Sequence, residues 1–261
     1  MTLSILSPKN ELENEICKST NLLKLLDTIP NWCELIEIRG QRVLLNAQVI
    51  QKSGKPSALY QLELRSSAND NVQVKEVSPQ HLPMHCPTRH VDEGGWLCIG
   101  LNAGLEINDK DTATAWWQKL KGYILLQQTA INCGVWPAGA ELSHGAAGEI
   151  QERAENIAAQ RGLSNEYQRT LADRGGIFRA LRLVRRKQEK PMPLINGRAG
   201  CICNSRDKRD RIKLRRLCWS DNDECLVRLE HQRRKKEDDF VRALKEQGFR
   251  CCGTMEPCPF R

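Results

Sequence analysis

A helix-length segment followed by several short strand-like segments is the feature that most constrains the fold of this chain. Residues 11–29 place apolar side chains at roughly helical spacing, and Pro30 ends the pattern. Turn-forming residues then separate short apolar segments at 35–38, 43–50, 59–64 and 72–77. Because short turns join antiparallel neighbours, the pattern predicts one helix followed by an antiparallel meander of three or four strands. The predicted fold class is α+β.

A long irregular segment follows the meander and leads to a single cysteine. Residues 78–95 contain five prolines and glycines and three of the five histidines in the chain, and Cys98 comes directly after them. Long loops inside compact domains are usually functional or disordered. A thiolate is a strong nucleophile that can hold an acyl group as a thioester, which makes Cys98 the candidate nucleophile. His90, eight residues earlier, is its candidate partner, since a histidine or an amide can stabilise the oxyanion formed during acyl transfer.

The same loop leaves other interpretations open. A zinc site could use His81, His85, Cys86 and His90, although their spacing matches no common zinc finger. A zinc hydrolase built on the three histidines would need Asp92 or Glu93 as its carboxylate base.

Helical patterns dominate the rest of the chain. Four segments are predicted to be helices, at residues 112–130, 149–160, 177–190 and 226–244. The first of them contains Trp116 and Trp117. Adjacent residues on a helix point about 100° apart, so at most one of these rings is expected to face the centre of the core fully.

Charge and cysteine content both change along the chain. Residues 1–175 carry 17 Lys/Arg against 20 Asp/Glu, a net charge of −3, whereas residues 176–261 carry 23 against 12, a net charge of +11. Seven of the 12 cysteines lie between Cys201 and Cys258. The first ten residues show no secretory signal, which favours reduced cysteines and a cytoplasmic location. Clustered cysteines in such a chain favour metal binding.

The metal prediction is structural zinc in the last part of the chain. The seven thiols exceed what one tetrahedral zinc can bind, so one site of four, or two sites helped by His231, both remain open. The candidate ligands are Cys201, Cys203, Cys218, Cys225, Cys251 and Cys252.

The order of these elements resembles the ubiquitin-conjugating enzymes. The resemblance covers roughly residues 10–165 and rests on the helix, the meander, the long loop, the Gly95-Trp-Leu-Cys98-Ile motif and the helix that contains Trp116 and Trp117. It resembles the divergent bacterial members that accompany ubiquitin-like modifiers and antiviral operons. The His-Pro-Asn signature of the family is missing; 85–87 and 89–91 are the candidate positions, and His90 is preferred. Cys201-Ile-Cys203 also resembles the start of the SEC-C zinc motif.

The resemblance implies a function, a set of partners and three regions. Cys98 would accept a ubiquitin-like modifier protein from an adenylating activating enzyme and pass it to a target protein. The regions are a ubiquitin-conjugating-enzyme-like domain (1–175), a basic helix and linker (176–194), and a small helical zinc-binding domain (195–261). No GxxxxGK[ST] phosphate-binding loop occurs, so the energy of ATP would come from the partner.

The alternative is a non-catalytic adaptor that keeps the conjugating fold and uses the zinc domain to bind protein or nucleic acid. The basic residues of the last region are interleaved with acidic ones, which is more typical of a solvated helix face than of a nucleic-acid interface. No membrane partner is expected, because no apolar run approaches the ~20 residues that a membrane span needs.

Overall fold

The computed structural model describes residues 19–78, 80–137, 140, 142–172, 208–211, 224–256 and 258–261. These residues divide into two compact units, the first made of residues 1–136, 251–259 and 261, and the second of residues 137–250 and 260. The boundary predicted near residue 176 differs from this division, because the helices at 146–160 and 164–171 pack with the helix at 226–246. Within the described residues, no helix is both long enough and apolar enough to cross a membrane.

The first unit begins with a short helix and a four-stranded sheet. Helix α1 is Thr20–Asp27 and is capped by Ser19, whose hydroxyl accepts a hydrogen bond from the backbone amide of Leu22 at 3.1 Å. The residues predicted to form its first two turns, 11–18, lie outside the described residues. The four strands are β1 (Cys33–Arg39), β2 (Arg42–Ala47), β3 (Tyr60–Ser66) and β4 (Val72–Glu76).

The sheet is a simple antiparallel meander in the order β1-β2-β3-β4, as predicted. Its register aligns Val43 with Leu64 and Leu64 with Val74, so apolar residues of three strands share one face. Val43, Leu45 and Ala47 alternate along β2 as fully buried residues, which is the period-2 pattern of a strand with one face on the core. The mixed architecture of helices and an antiparallel sheet confirms the α+β class.

Helix α2, Lys110–Cys133, completes the core of the first unit. Asp109 and Thr112 form a capping box at its start, and Gly134 ends it in the left-handed conformation. Both tryptophans of this helix belong to the core: Trp116 and Trp117 are 2% and 1% exposed. The indole of Trp117 donates a hydrogen bond to the carbonyl of Leu25 at 3.1 Å, so α1 covers the ring that would otherwise face outward.

The second unit is helical in its described part. Its helices are α3 (Ala146–Gln160), α4 (Ser164–Leu171) and α5 (Leu226–Glu246). The predicted helix at 177–190 lies outside the described residues. Helices α3 and α5 pack over a small core that includes Ile157, Tyr167 and Leu226. Of the small helical domain predicted at 195–261, the described residues contain one long helix, α5.

Candidate active site

The backbone between β4 and α2 places Cys98 beside the sheet. At the end of β4, the carboxylate of Glu76 accepts hydrogen bonds from the backbone amides of His81 (3.3 Å) and Leu82 (2.9 Å). Further along, the amide of Leu97 donates to the carbonyl of Val74 at 2.8 Å, and the amide of Cys98 donates to the carbonyl of His90 at 2.9 Å. Cys98 is thus held between the loop and the outer strand of the sheet.

Two glycines let the loop reach this position. Gly94 and Gly95 both have φ near +80°, a conformation that other residues rarely adopt. They close a tight turn in which the amide of Asp92 donates to the carbonyl of Trp96 at 2.7 Å. The turn brings the Asp92 backbone next to the strand-like residues that precede Cys98.

Cys98 is half-buried, and the pKa of its thiol is raised above the ordinary cysteine value. Burial is the largest cause, and the negative charge of Asp92 adds to it. A hydrogen bond from the backbone amide of Gly100 to the sulfur opposes both effects without outweighing them. The Cys98 thiol is therefore mostly protonated at neutral pH.

His90 contacts Cys98 through its backbone. The residue is 4% exposed and has φ +53°, a left-handed conformation that is uncommon for residues other than glycine. Its ring packs edge-on against Trp136 with the ring centroids 5.0 Å apart. Its carbonyl accepts from the amide of Cys98 and, at 3.1 Å, from the hydroxyl of Tyr123. The structure therefore brings the two predicted catalytic residues together, with the main chain of His90 as the contact.

A buried arginine next to His90 organises the loop. The guanidinium of Arg89 is buried and donates to the side-chain oxygen of Gln127 at 2.8 Å and to the carbonyl of His81 at 3.1 Å. In return, the amide nitrogen of Gln127 donates to the carbonyl of Arg89 at 2.6 Å. Tyr123 and Gln127 lie four residues apart on α2 and thus face the loop together. Sequence analysis missed Arg89; the only available signal was this spacing on the helix.

A second thiol of the loop has an unexpected neighbour. The sulfur atoms of Cys86 and Cys252 lie 3.1 Å apart, although the residues are separated by 166 positions in the sequence. Burial raises the pKa of the Cys86 thiol to about 12, and its hydrogen bond with Cys252 adds to this. Burial also raises the pKa of Cys252, but hydrogen bonds with Thr254 and Cys86 and the charge of Arg89 outweigh it, so the net shift is downward.

Three of the six predicted metal ligands are among the described residues. Cys201, Cys203 and Cys218 lie outside the described residues. Cys225 is buried in the core of the second unit, whereas Cys251 and Cys252 belong to the first. In the described parts of the chain, no set of three or more His, Cys, Asp or Glu side chains is arranged to hold a metal ion.

The residues of the alternative zinc site, His81, His85, Cys86 and His90, are all described, and they are not arranged to hold a metal ion, so the zinc hydrolase built on these histidines has no metal site here. The ring of His81 instead packs against Tyr60, with the centroids 5.2 Å apart.

Comparison with known protein families finds two matches in this chain. A family model described as the prokaryotic E2 domain matches residues 33–138. A second model, described as a cysteine-rich domain C-terminal to the E2 domain, matches residues 143–260. No curated protein and no solved structure matches the chain significantly. Sheet, loop and helix α2 all fall within the first match, so the chain carries a prokaryotic E2 domain followed by a cysteine-rich domain.

Proposed function

We propose that this chain is a conjugating transferase that carries a ubiquitin-like protein as a thioester on Cys98. The observation that carries the proposal is the position of Cys98 in the prokaryotic E2 domain, as a half-buried residue at the end of a hydrogen-bonded loop. Such a domain points to a conjugating transferase, and Cys98 is its best-placed nucleophile among the described residues.

The reaction would consist of two acyl transfers. The Cys98 thiolate attacks the carbonyl carbon of the thioester that an adenylating activating enzyme has formed with the modifier, and the thiol of that enzyme leaves. An amine of a target protein then attacks the new thioester, loses a proton, and expels the Cys98 thiolate. ATP is consumed by the activating enzyme, so no further energy source is needed in this chain.

Backbone amides are the best candidates to stabilise the developing negative charge. The family asparagine is missing, and the amide of Cys98 itself is already used by the carbonyl of His90. The amide of Gly100 donates to the Cys98 sulfur, so the charge that it stabilises is that of the Cys98 thiolate, before attack and as the leaving group. In this proposal His90 fixes the backbone that holds Cys98, and Gly100 supplies the hydrogen-bond donor.

One observation favours the adaptor as a second candidate. A raised pKa lowers the thiolate fraction at neutral pH, which a purely structural cysteine tolerates and a nucleophile must overcome. The two candidates differ in whether the thiol accepts an acyl group.

The test is covalent loading. The full chain is mixed with ATP, a candidate activating enzyme and its ubiquitin-like modifier, and the products are separated with and without reducing agent. A thiol-sensitive adduct is expected for the natural sequence and for Cys133→Ser, which changes an exposed cysteine of the same unit. Cys98→Ala should remove the adduct and Cys98→Ser should give a more stable oxyester. Undiminished loading of Cys98→Ala would refute the assignment.

We also propose one structural zinc ion in the cysteine-rich domain, held by Cys201, Cys203, Cys218 and Cys225. Cys251 and Cys252 belong to the first compact unit, with Cys252 beside Cys86, which leaves these four of the six candidate ligands as the complement that a tetrahedral zinc requires. Elemental analysis of the freshly purified, reduced chain should give about one zinc per molecule. Cys225→Ser should lose the metal, whereas Cys252→Ser should retain it. A metal-free natural chain contradicts the proposal.

The net charge of +11 in residues 176–261 supports a docking role for this region towards an acidic protein partner. Nucleic acid is the weaker alternative, and a role in antiviral defence stays a prediction from the family resemblance.

A further inference from the structure

The C-terminal segment returns to the E2 domain and contacts the loop that leads to Cys98. Residues 251–259 belong to the first compact unit although the cysteine-rich match extends to residue 260. Met255 is buried in a small cluster with Cys86 and Ala130. The amide of Glu256 donates to the carbonyl of Gly134 at 2.7 Å. The segment therefore packs against both the loop and the end of α2.

Cys86 lies at the centre of this contact and is tied to the backbone that positions Cys98. Its amide donates to the carbonyl of Val91 at 2.8 Å, and the amide of Val91 donates back at 3.0 Å. Val91 in turn pairs with Leu97, the residue before Cys98. A covalent bond at Cys86 would thus fix the C-terminal segment to the structural support of the candidate nucleophile.

We propose that Cys86 and Cys252 are a reversible disulfide pair that fastens the C-terminal segment to the active-site loop. Their sulfur atoms, 3.1 Å apart, are about 1 Å farther apart than the ~2.05 Å of a disulfide bond, a difference that small side-chain rotations can remove. Cys86 is buried and Cys252 is partly exposed, so only the second thiol of the pair is open to a reagent from solution. The two sulfurs are already next to each other, so no segment has to move.

A peroxide is the oxidant that the proposal requires. The Cys252 sulfur attacks one oxygen of the peroxide, giving a sulfenic acid and releasing water from hydrogen peroxide. The Cys86 thiol then attacks the sulfenic sulfur, the S–S bond forms, and a second molecule of water leaves. Both thiols are oxidised by one electron each and the peroxide is reduced by two. A cellular dithiol reverses the bond, in keeping with the transient, redox-sensing disulfides of reducing compartments.

Peptide mapping tests the bond directly. The full chain is treated with one equivalent of hydrogen peroxide, its remaining thiols are blocked under denaturing conditions, and it is digested with trypsin. Cys86 is the only cysteine in tryptic peptide 76–89, and peptide 251–261 contains Cys251, Cys252 and Cys258. We expect a cross-linked pair of these peptides, the loss of two alkylatable thiols, and recovery of both after reduction.

Serine variants identify the partner of Cys86. Cys252→Ser should abolish the cross-link, whereas Cys251→Ser, its immediate neighbour, should retain it at the yield of the natural sequence. Tryptophan fluorescence of each reduced variant shows whether the first unit is still folded. A cross-link that persists at full yield in Cys252→Ser refutes the pair.

A metal ion between the thiols is the other outcome that would overturn the proposal. In that case both thiols would resist oxidation by peroxide until a chelator is added, and the amount of metal released would match the amount of thiol that becomes reactive. Neither readout depends on Cys98, so failure of this pair and failure of the proposed transferase are separate results. Amide exchange of residues 251–256 should also slow on oxidation and return to its original rate on reduction.

Discussion

Replacing Gln127 with leucine should loosen the loop that positions Cys98. Leucine is similar in size to glutamine but forms no hydrogen bonds. It would remove the acceptor of the Arg89 guanidinium at 2.8 Å and the donor to the Arg89 carbonyl at 2.6 Å. Loss of a hydrogen bond to a buried charge costs about 1.5–3 kcal/mol, and loss of a neutral one about 0.5–1.5 kcal/mol. The carbonyl keeps the hydroxyl of Tyr123 at 3.1 Å, so the combined expectation is a loss of about 2–4 kcal/mol.

Two further variants serve as references for the stability loss expected of Gln127→Leu. Gln118→Leu makes the same change on the exposed face of the same helix and should alter stability by less than about 0.5 kcal/mol. Tyr123→Phe removes one hydroxyl that is shared between the carbonyls of Arg89 and His90 and should cost about 1 kcal/mol. The expected order of destabilisation is Gln127→Leu, then Tyr123→Phe, then Gln118→Leu.

Urea unfolding followed by tryptophan fluorescence measures these differences, because five of the six tryptophans lie in residues 1–136. The rate at which iodoacetamide modifies Cys98 is the second readout, and it can be followed on tryptic peptide 90–110, where Cys98 is the only cysteine. The Gln127 variant should change that rate and the Gln118 variant should not. Equal stabilities for the two variants would refute the view that Arg89 and Gln127 hold the loop.

Four other substitutions test separate parts of the structure. Glu230→Gln should destabilise the second unit by about 3 kcal/mol at pH 7, because Glu230 is fully buried and paired with two arginines. Burial raises the pKa of Glu230, but the two arginines outweigh it and lower the pKa, so the carboxylate contributes its full stabilisation above about pH 4.5 and loses it as the pH falls through the lower folded pKa. The stability difference between the variant and the natural sequence, measured by hydrogen exchange of α5, should therefore shrink in acid. Gly104→Ala should lower the free energy of unfolding by about 3 kcal/mol, since the new Cβ would lie 2.0 Å from a backbone carbonyl oxygen. Gly122→Ala, which has open space around it in helix α2, should raise the free energy of unfolding by about 1 kcal/mol in the same urea assay. Asp92→Asn should shift the pH profile of Cys98 alkylation to lower pH, and an unchanged profile would refute the role of Asp92.

The strand meander could be predicted because its information is local. The alternating burial along β2 follows from a sequence pattern in which every second residue is apolar: Val43, Leu45 and Ala47. The predicted helix at 112–130 was too short at both ends. The structure extends it to Lys110 because Asp109 caps it, and to Cys133 because Gly134 is the first residue that leaves the helical conformation.

Contacts between distant residues could not be predicted in this way. The contact between Cys86 and Cys252 spans 166 positions, and the local spacing of the last cysteines carries no information about it. The change of net charge near residue 176 is also a poor guide to the boundary between the two units. Net charge describes how a surface interacts and does not determine where a compact unit ends. Helix α3 lies in the acidic part of the chain, yet it packs with the basic α5.

The raised pKa of Cys98 is compatible with acyl transfer, because two effects of the pKa oppose each other. Below the pKa, each unit of increase lowers the thiolate fraction about tenfold, while the intrinsic nucleophilicity of the thiolate rises about threefold with a Brønsted coefficient of 0.4–0.5. The net loss is only about threefold per unit. The same increase makes Cys98 a poorer leaving group, so its thioester should resist attack by water or small thiols. Burial and Asp92 would then favour a slowly formed, long-lived thioester, and the hydrogen bond from Gly100 limits how far the pKa can rise. Asp92→Asn should therefore speed loading and shorten the lifetime of the adduct together, which separates an electrostatic role of Asp92 from a merely structural one.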